Sequence, residues 1–349
     1  MINSSFSSFG VIYSSNDDEW TPRALGSCQT LKWISGYLCL TFVLGIVLNG
    51  IVLYTVLTKK FVQAPVSTFI IALSGADLSH AVFGIPLPMT SNFACRWLYG
   101  KYLCYYEGFL AYFVGMIGLY LLTALSLNRY WLIVAPTKSK NPNYRSSYTL
   151  IALAIIGSFF WAITPVFGWS HYTLEGVLTS CSIRWQDRTL NVISYNIMMF
   201  LFGYIIPLCI LLYCNIKIYL QIHLESQRDS LCKTYTTVNR IHHRKVIEKH
   251  VIRSIYLIII TFTTAWTPYA IVAFISSFFS PTLISPLGAT LPAIFAKSSI
   301  YFNPLTLILT NTRFRRAFLN QKRQSFATYK SSSTNEKPHR LSPLVGTKL

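Results

Sequence analysis

Residues 35–58 read SGYLCLTFVLGIVLNGIVLYTVLT, from Ser35 to Thr58, with no charged side chain. A bilayer core is about 30 Å thick and takes about 20 apolar residues of helix to cross, so this run is long enough to span it. Six further runs follow, at 65–91, 103–133, 148–168, 191–217, 250–279 and 286–310. Helix is the expected form of each, because a lipid-exposed backbone must satisfy its own hydrogen bonds. The expected fold is therefore an all-α membrane protein, a seven-transmembrane helix bundle. Composition agrees: the 349 residues are 52% hydrophobic and 12% charged, against roughly 25% charged in soluble domains. An ordinary soluble enzyme and a disordered chain are both excluded by that balance. Residues 1–30 lack the apolar core of a cleavable signal peptide.

The net charge is +19, from 30 Lys and Arg against 11 Asp and Glu. Seven spans put the two ends on opposite sides. The 59–64, 134–147 and 218–249 loops and the tail after 310 carry most of the basic residues, whereas the other side is nearly balanced. The positive-inside rule then predicts a multi-pass protein of the cell membrane, with the N-terminus outside and the C-terminus cytoplasmic. Anionic membrane lipid is a sufficient partner for the basic side, and no nucleic-acid partner is expected. Residues 1–34 form an extracellular segment in this reading, and 35–310 the transmembrane domain. Residues 311–322 hold Phe314 and Phe318 one turn apart with Arg313, Arg315 and Arg316, which predicts a short amphipathic helix on the membrane surface. Residues 323–349 are polar and expected to be disordered. Asn3-Ser4-Ser5 matches a glycosylation acceptor on the outside.

The eight cysteines show no metal-ligand spacing, so no metal site is expected. Cys104 opens the third span from the outside and Cys181 lies in the outer loop before the fifth, in an oxidising compartment. Cys28 and Cys95 are outside too and leave the pairing open. A Cys104–Cys181 bridge is the expected one.

Charge near the bilayer centre is costly, so an intramembrane charged residue is a functional candidate by default. Three lie away from the cytoplasmic edge: Asp77, Glu107 and Lys297. Burial favours the neutral amine of a lysine, a nucleophile toward aldehydes. The iminium so formed needs an anion, and Glu107 is the carboxylate at the outer end of a span. A plain Lys297–Glu107 ion pair explains the same two residues without a ligand. Asp77, Asn49 and Asn303 suit a polar network deeper in the bundle, either structural or a water or sodium site.

Together the motifs resemble the rhodopsin-like G-protein-coupled receptors over roughly residues 30–322, and within them the opsins. Gly45-Ile-Val-Leu-Asn49, Leu73-Ser-Gly-Ala-Asp77, Trp97-Leu-Tyr-Gly100 before Cys104, Asn128-Arg129-Tyr130, Trp266-Thr-Pro268-Tyr269 and Asn303-Pro304 occur in that family's order and spacing. Lys297, six residues before Asn303, is similar to the retinal-binding lysine of opsins. Cys104-Tyr-Tyr-Glu107-Gly108 resembles the segment with the vertebrate visual counterion. Gly168-Trp169-Ser-His-Tyr172 with Glu175 resembles the second outer loop, where other opsins carry their counterion.

This resemblance implies retinal as cofactor, held by a Schiff base on Lys297 with Glu107 as counterion and Glu175 as the alternative. It also implies pocket walls at Tyr112, Gly115, Met116, Phe200, Tyr204, Phe262, Trp266, Tyr269 and Ala293. Gly108 and Gly115 share a helix face and leave room for a ligand or for close packing. The implied function is light sensing, with 11-cis-retinal as chromophore and a heterotrimeric G protein as partner, and with a receptor kinase and an arrestin-like protein acting on the tail. Such a protein is not an enzyme unless photoisomerisation is counted as one.

Three positions depart from the pattern. Asn128 stands where an acid usually precedes Arg129, Leu307 where the seventh-span motif has tyrosine, and Asn215 where many opsins carry another tyrosine. Arg129 and Tyr130 are retained, and Glu248 at the foot of the sixth span is a candidate partner for Arg129. Phe159-Phe160-Trp161 with Pro165, Gly168 and Trp169 is similar to the peropsin, retinochrome and photoisomerase branch. The alternative implied function is thus a photoisomerase that takes all-trans-retinal to 11-cis. A receptor for a diffusible ligand is the second alternative.

Overall fold

The computed structural model describes residues 20–58, 65–135, 144–231, 238–310 and 314. Helix α1 (Cys28–Thr58) is the first span and begins one to two turns before the apolar run does. The second is broken into α2 (Pro65–Phe83) and α3 (Pro86–Phe93). Helices α4 (Gly100–Ile133) and α5 (Tyr144–Ile163) are the third and fourth. The fifth joins α6 (Leu190–Met198), a π-helical segment at Met199–Ile205 and α7 (Ile206–Leu231). Helix α8 (Val238–Phe278) is the sixth. The seventh consists of α9 (Pro286–Lys297) and α10 (Ser299–Thr310), each of 12 residues. Among the described residues six helical stretches are long and apolar enough to cross a membrane by themselves. The seventh crosses only as the α9–α10 pair, because its helix breaks at Ser298.

Each interruption has a local cause. Pro86 has no amide to continue the helix and suits the first turn of a new one, while Ile85 before it keeps helical dihedrals. The amides of Gly84 and Ile85 both turn back to the His80 carbonyl, at 2.9 and 3.0 Å. In the fifth span the Ile206 amide donates to the Leu201 carbonyl, five residues back. The next amide in that register would be Pro207's, and proline has none. The Phe202 carbonyl left over accepts the Tyr120 hydroxyl from α4 at 3.2 Å. Such a bond contributes about 1 kcal/mol net, and leaving the carbonyl unpaired costs more.

Helix α4 is the most deeply buried of the spans and packs on α2, α5, α7, α8 and the outer hairpin. Large apolar side chains such as Val43, Leu153, Leu212 and Ile271 stay exposed on the outward faces of their helices, as lipid-facing surfaces require.

An antiparallel hairpin closes the outer end of the bundle. Strand β1 (Tyr172–Glu175) pairs with β2 (Ser180–Ile183), with Leu174 opposite Cys181 and Glu175 opposite Ser180. The hairpin is laced on several sides. Cys181 is bonded to Cys104 of α4. The Leu25 amide donates to the Val177 carbonyl at 3.0 Å, and the Val177 amide to Thr290 Oγ1 of α9 at 2.9 Å. A second disulfide joins Cys28 at the start of α1 to Cys95, so all four outer cysteines pair. The Cys104–Cys181 bridge closes a sequence separation of 77 residues, for which loop-closure entropy gives about 4 kcal/mol. Cys104→Ser is accordingly expected to cost about 2–5 kcal/mol and to lower the melting temperature of detergent-purified protein by several degrees. Equal melting curves for variant and wild type would show that the hairpin is held by its other bonds.

Candidate functional site

Lys297 is the last residue of α9, directly before the break at Ser298. The break is held from three sides: Ser298 Oγ bonds the Ile294 carbonyl at 3.2 Å and the Tyr37 hydroxyl of α1 at 2.6 Å, and the Trp266 indole of α8 donates to Ser299 Oγ at 3.0 Å. The lysine side chain is 6% exposed and turns inward. Its Nζ lies 2.8 Å from Oε1 of Glu107, which is fully buried on α4. The other carboxylate oxygen, Oε2, accepts the Cys181 amide at 2.6 Å. The disulfide to Cys104, three residues before Glu107, fixes that amide in place. Both carboxylate oxygens are thus satisfied, as a buried charge demands.

Glu175 reaches the same region from the hairpin. It accepts the Ser180 hydroxyl at 3.3 Å and the Tyr269 hydroxyl at 3.4 Å, and Tyr269 in turn accepts the Trp185 indole at 3.2 Å. Burial pushes the Glu175 carboxyl above the usual carboxylate range, and the field of Lys297 opposes that only in part.

Two cavities adjoin below the hairpin. One is bordered by Lys297, Glu175, Gly108, Ala293, Ala296 and residues 181–183. The other is bordered by Gly115, Met116, Met199, Phe200, Tyr204, Phe262, Trp185 and Ala273 among others. Tyr112, Trp266 and Tyr269 are walls of both. The pair, sharing three walls, forms a mostly apolar space bordered by the Lys297 amine and the Glu175 carboxyl, with the Glu107 carboxylate fully buried behind the lysine. Gly108 and Gly115 let two rings approach the α4 backbone. A Cβ on Gly108 would lie 2.5 Å from the Tyr172 ring, and one on Gly115 2.2 Å from the Trp266 ring.

All nine wall residues named from the sequence border these cavities. Trp185, Ser182, Ile183, Met199 and Ala273 were not singled out by it. Ser182 and Ile183 follow from the Cys181 anchor, but no helical periodicity points to Trp185, which arrives from a loop.

Deeper in the bundle, Asn303 Nδ2 donates to Asp77 Oδ2 at 3.1 Å. Asn49 does not join that bond. Its amide donates to the Gly45 and Ile300 carbonyls, each at 2.8 Å, so it ties the first span to the seventh beside the broken helix. At the inner end, Asn128 donates to Ser147 Oγ of α5 at 3.3 Å and Arg129 is half-buried. The Tyr130 ring lies 5.9 Å from that of Tyr213. Pro304 and Leu307 are buried in the bundle, and Asn215 donates to Ser126 Oγ of α4 at 2.9 Å. The Tyr256 hydroxyl of α8 bonds the Asn215 carbonyl. The side chain of Glu248, and Asn3, residues 311–313 and 315–349, lie outside the described residues; Phe314 is helical and buried.

A lysine and a buried carboxylate thus stand beside an apolar cavity, inside a helix bundle closed by a disulfide-anchored hairpin. The profile described as "7 transmembrane receptor (rhodopsin family)" matches residues 48–306, and the chain belongs to that family. Within it the chain is an opsin-type receptor and not an enzyme. It is 30% identical over 282 residues to a rhodopsin of Enteroctopus dofleini, with 79% of this chain and 62% of the relative covered. It is 28% identical to the visual pigment-like receptor peropsin of Mus musculus, with 82% and 83% covered. The chain thus spans about three fifths of the length of the cephalopod rhodopsins it matches. The crystal structure of squid rhodopsin superposes with a TM-score of 0.80 at 26% identity, covering 91% of this chain and 93% of that one.

Proposed function

We infer that the chain is a light-sensing receptor whose cofactor is retinal bound at Lys297. The observation that carries this is the 2.8 Å Lys297–Glu107 contact beside the paired cavities. The residues suit the group: the walls are aromatic and small, and the amine stands beside a fixed carboxylate. Retinal, when bound, supplies an aldehyde for the Schiff base and a polyene that light isomerises. Glu107 keeps the nitrogen protonated, since an adjacent anion raises its proton affinity. Tyr112, Gly115, Met116, Phe200, Tyr204, Phe262, Tyr269 and Ala293 exclude water and hold the polyene's shape. Trp266, bonded to Ser299 two residues from Lys297, links the cavity to the sixth span two residues before its Pro268. The basic loops favour an N-terminus outside and a C-terminus in the cytoplasm, where a heterotrimeric G protein meets the face around Arg129 and Tyr130, with Asn303 and Pro304 inside the bundle as part of the switch. Arrestin-like and kinase partners at the tail, and anionic lipid at the basic side, complete this reading.

A second reading, retinal photoisomerase with weak signalling, is favoured by one set of observations. Leu307 and Asn215 replace two phenols, and both are engaged in packing or bonding within the closed bundle. The two readings separate on the dark absorption spectrum with 11-cis-retinal and, in parallel, all-trans-retinal, followed by extraction of the bound isomer after light. A visible band with 11-cis and light-driven nucleotide exchange supports the sensor. A band mainly with all-trans, yielding 11-cis in light, supports the photoisomerase. No visible band with either overturns both in favour of a diffusible ligand.

Asn128 offers Arg129 no charge and is occupied with Ser147. Asn128→Glu is expected to restrain Arg129 and to lower dark nucleotide exchange several-fold, since a partly buried pair contributes more than the ~1 kcal/mol of an exposed one. An unchanged or raised dark rate would count against this role.

A further inference from the structure

Helix α8 is held differently at its two ends. At the outer end Arg188, in the loop between β2 and α6, donates to the carbonyls of Ser277 and Phe279. The last carbonyls of a helix lack an intrahelical partner, and a cation there also meets the negative end of the helix dipole. Asn196 of α6 adds a bond to Ser277 Oγ at 3.1 Å, and both side chains are buried. The outer end of α8 is thus clamped by a charged group and by an amide from two neighbouring segments.

Pro268 stands inside α8, ten residues before its end at Phe278. It offers no amide to the Thr264 carbonyl, so the helical ladder lacks a rung there. Inward of it, Ile255, Ile258, Ile259 and Phe262 are buried in the core. Such apolar contact is non-directional and tolerates a shift of one helix against another. A directional tie comes from Tyr256, twelve residues and about 18 Å inward of Pro268, whose hydroxyl donates to the Asn215 carbonyl of α7. The Asn215 side chain donates in turn to the Leu211 carbonyl at 2.7 Å and to Ser126 Oγ of α4 at 2.9 Å. Ser126 is fully buried and bonds the Leu122 carbonyl at 2.8 Å. One line of bonds therefore runs from α8 through α7 to α4.

We propose that Tyr256 is a latch that keeps the inner half of α8 against α7, with Pro268 as the hinge and the Arg188 clamp holding the outer half still. The chemistry suits a reversible tie. A main-chain carbonyl has two lone pairs, so the Asn215 carbonyl takes the phenol in addition to its helical bond within α7. On release neither group is stranded: the carbonyl keeps its helical bond, and the half-buried phenol turns to water or lipid headgroups. Opening then costs about one net hydrogen bond rather than a buried unpaired group. Trp266, two residues inward of Pro268, is bonded to Ser299 beside the Lys297 break. A change at the ligand site thus bears on α8 next to its hinge, and the latch lies at the far end of the lever.

The test is the distance between two nitroxide labels in the full chain, without retinal and without a G protein. Leu132→Cys on α4 and Arg253→Cys on α8 carry the labels; both wild-type side chains are exposed. Cys39, Cys209 and Cys232 are replaced by serine, and Cys214 is buried. Electron resonance then gives the fraction of molecules with the inner ends of α4 and α8 apart. Tyr256→Phe, which keeps the ring and loses the hydroxyl, is expected to raise that fraction about fivefold. Ser126→Ala should raise it less, because Asn215 keeps its bond to Leu211. Arg188→Met should leave it near the wild-type value. Melting curves of the variants report the folded state. Equal distance distributions in wild type and Tyr256→Phe would overturn the latch. A rise in Arg188→Met as large as that in Tyr256→Phe would overturn the clamped outer half. Since no chromophore is added, the result stands whether or not Lys297 carries retinal.

Discussion

Lys297→Ala is expected to abolish every visible absorption band, with 11-cis- and all-trans-retinal alike. The side chain supplies the only amine bordering the paired cavities among the described residues, and alanine leaves no nucleophile to condense. The same change strips Glu107 of its cation in a fully buried position. Breaking a buried pair by removing one partner costs roughly 3–5 kcal/mol, so lower thermal stability should accompany the loss of colour. Lys297→Arg separates the two effects. A guanidinium keeps a charge beside Glu107 but stays protonated and cannot form the linkage. The arginine variant should therefore be colourless yet more stable than the alanine variant. Spectra and melting curves of the three proteins check this, and a visible band surviving in Lys297→Ala would refute the assignment.

Glu107→Gln is expected to have the next largest effect. With the carboxylate gone, the protonated nitrogen loses the anion 2.8 Å away, and its proton affinity should fall by several pKa units. At neutral pH the pigment should then absorb in the near ultraviolet and regain a visible band on acidification. Glu175→Gln should change little. Glu175 is held by hydroxyls of Ser180 and Tyr269 rather than by a cation, and burial pushes its carboxyl up, toward the neutral form. A carboxyl with a raised value is protonated over a wider range as pH falls, so its contribution as an anion is the first to be lost on acidification. The assignment fails if Glu175→Gln alone moves the band and lowers the nitrogen's proton affinity.

The spans were legible because apolar length is a property of sequence alone. The pocket walls were legible for a different reason: the motifs around Lys297 and Trp266 resemble a known family, and the resemblance, not the spacing itself, implied which residues border the cavities. What stayed hidden depended on contacts between distant segments. The pairing of Cys28 with Cys95 needed the position of α1 against the first outer loop. Trp185 needed the fold of the hairpin that brings it to Tyr269. Asn49, grouped with Asp77 on polarity, instead bonds the Ile300 carbonyl, a backbone group that no side-chain pattern marks. The breaks at Ser298 and at the π-helical segment were likewise invisible as interruptions within continuous apolar runs.

The divided seventh span also bears on how the chain is made. Its two halves are 12 residues each, with Lys297 at the junction and prolines at 286, 292 and 304. A lysine at the middle of a segment costs about 2.5–3.5 kcal/mol on insertion from the translocon, and Glu107, the group that offsets this, belongs to the third span, made long before. The seventh span thus enters the bilayer at lower cost once the third is in place. The pair beside the paired cavities also favours completing the bundle in chain order.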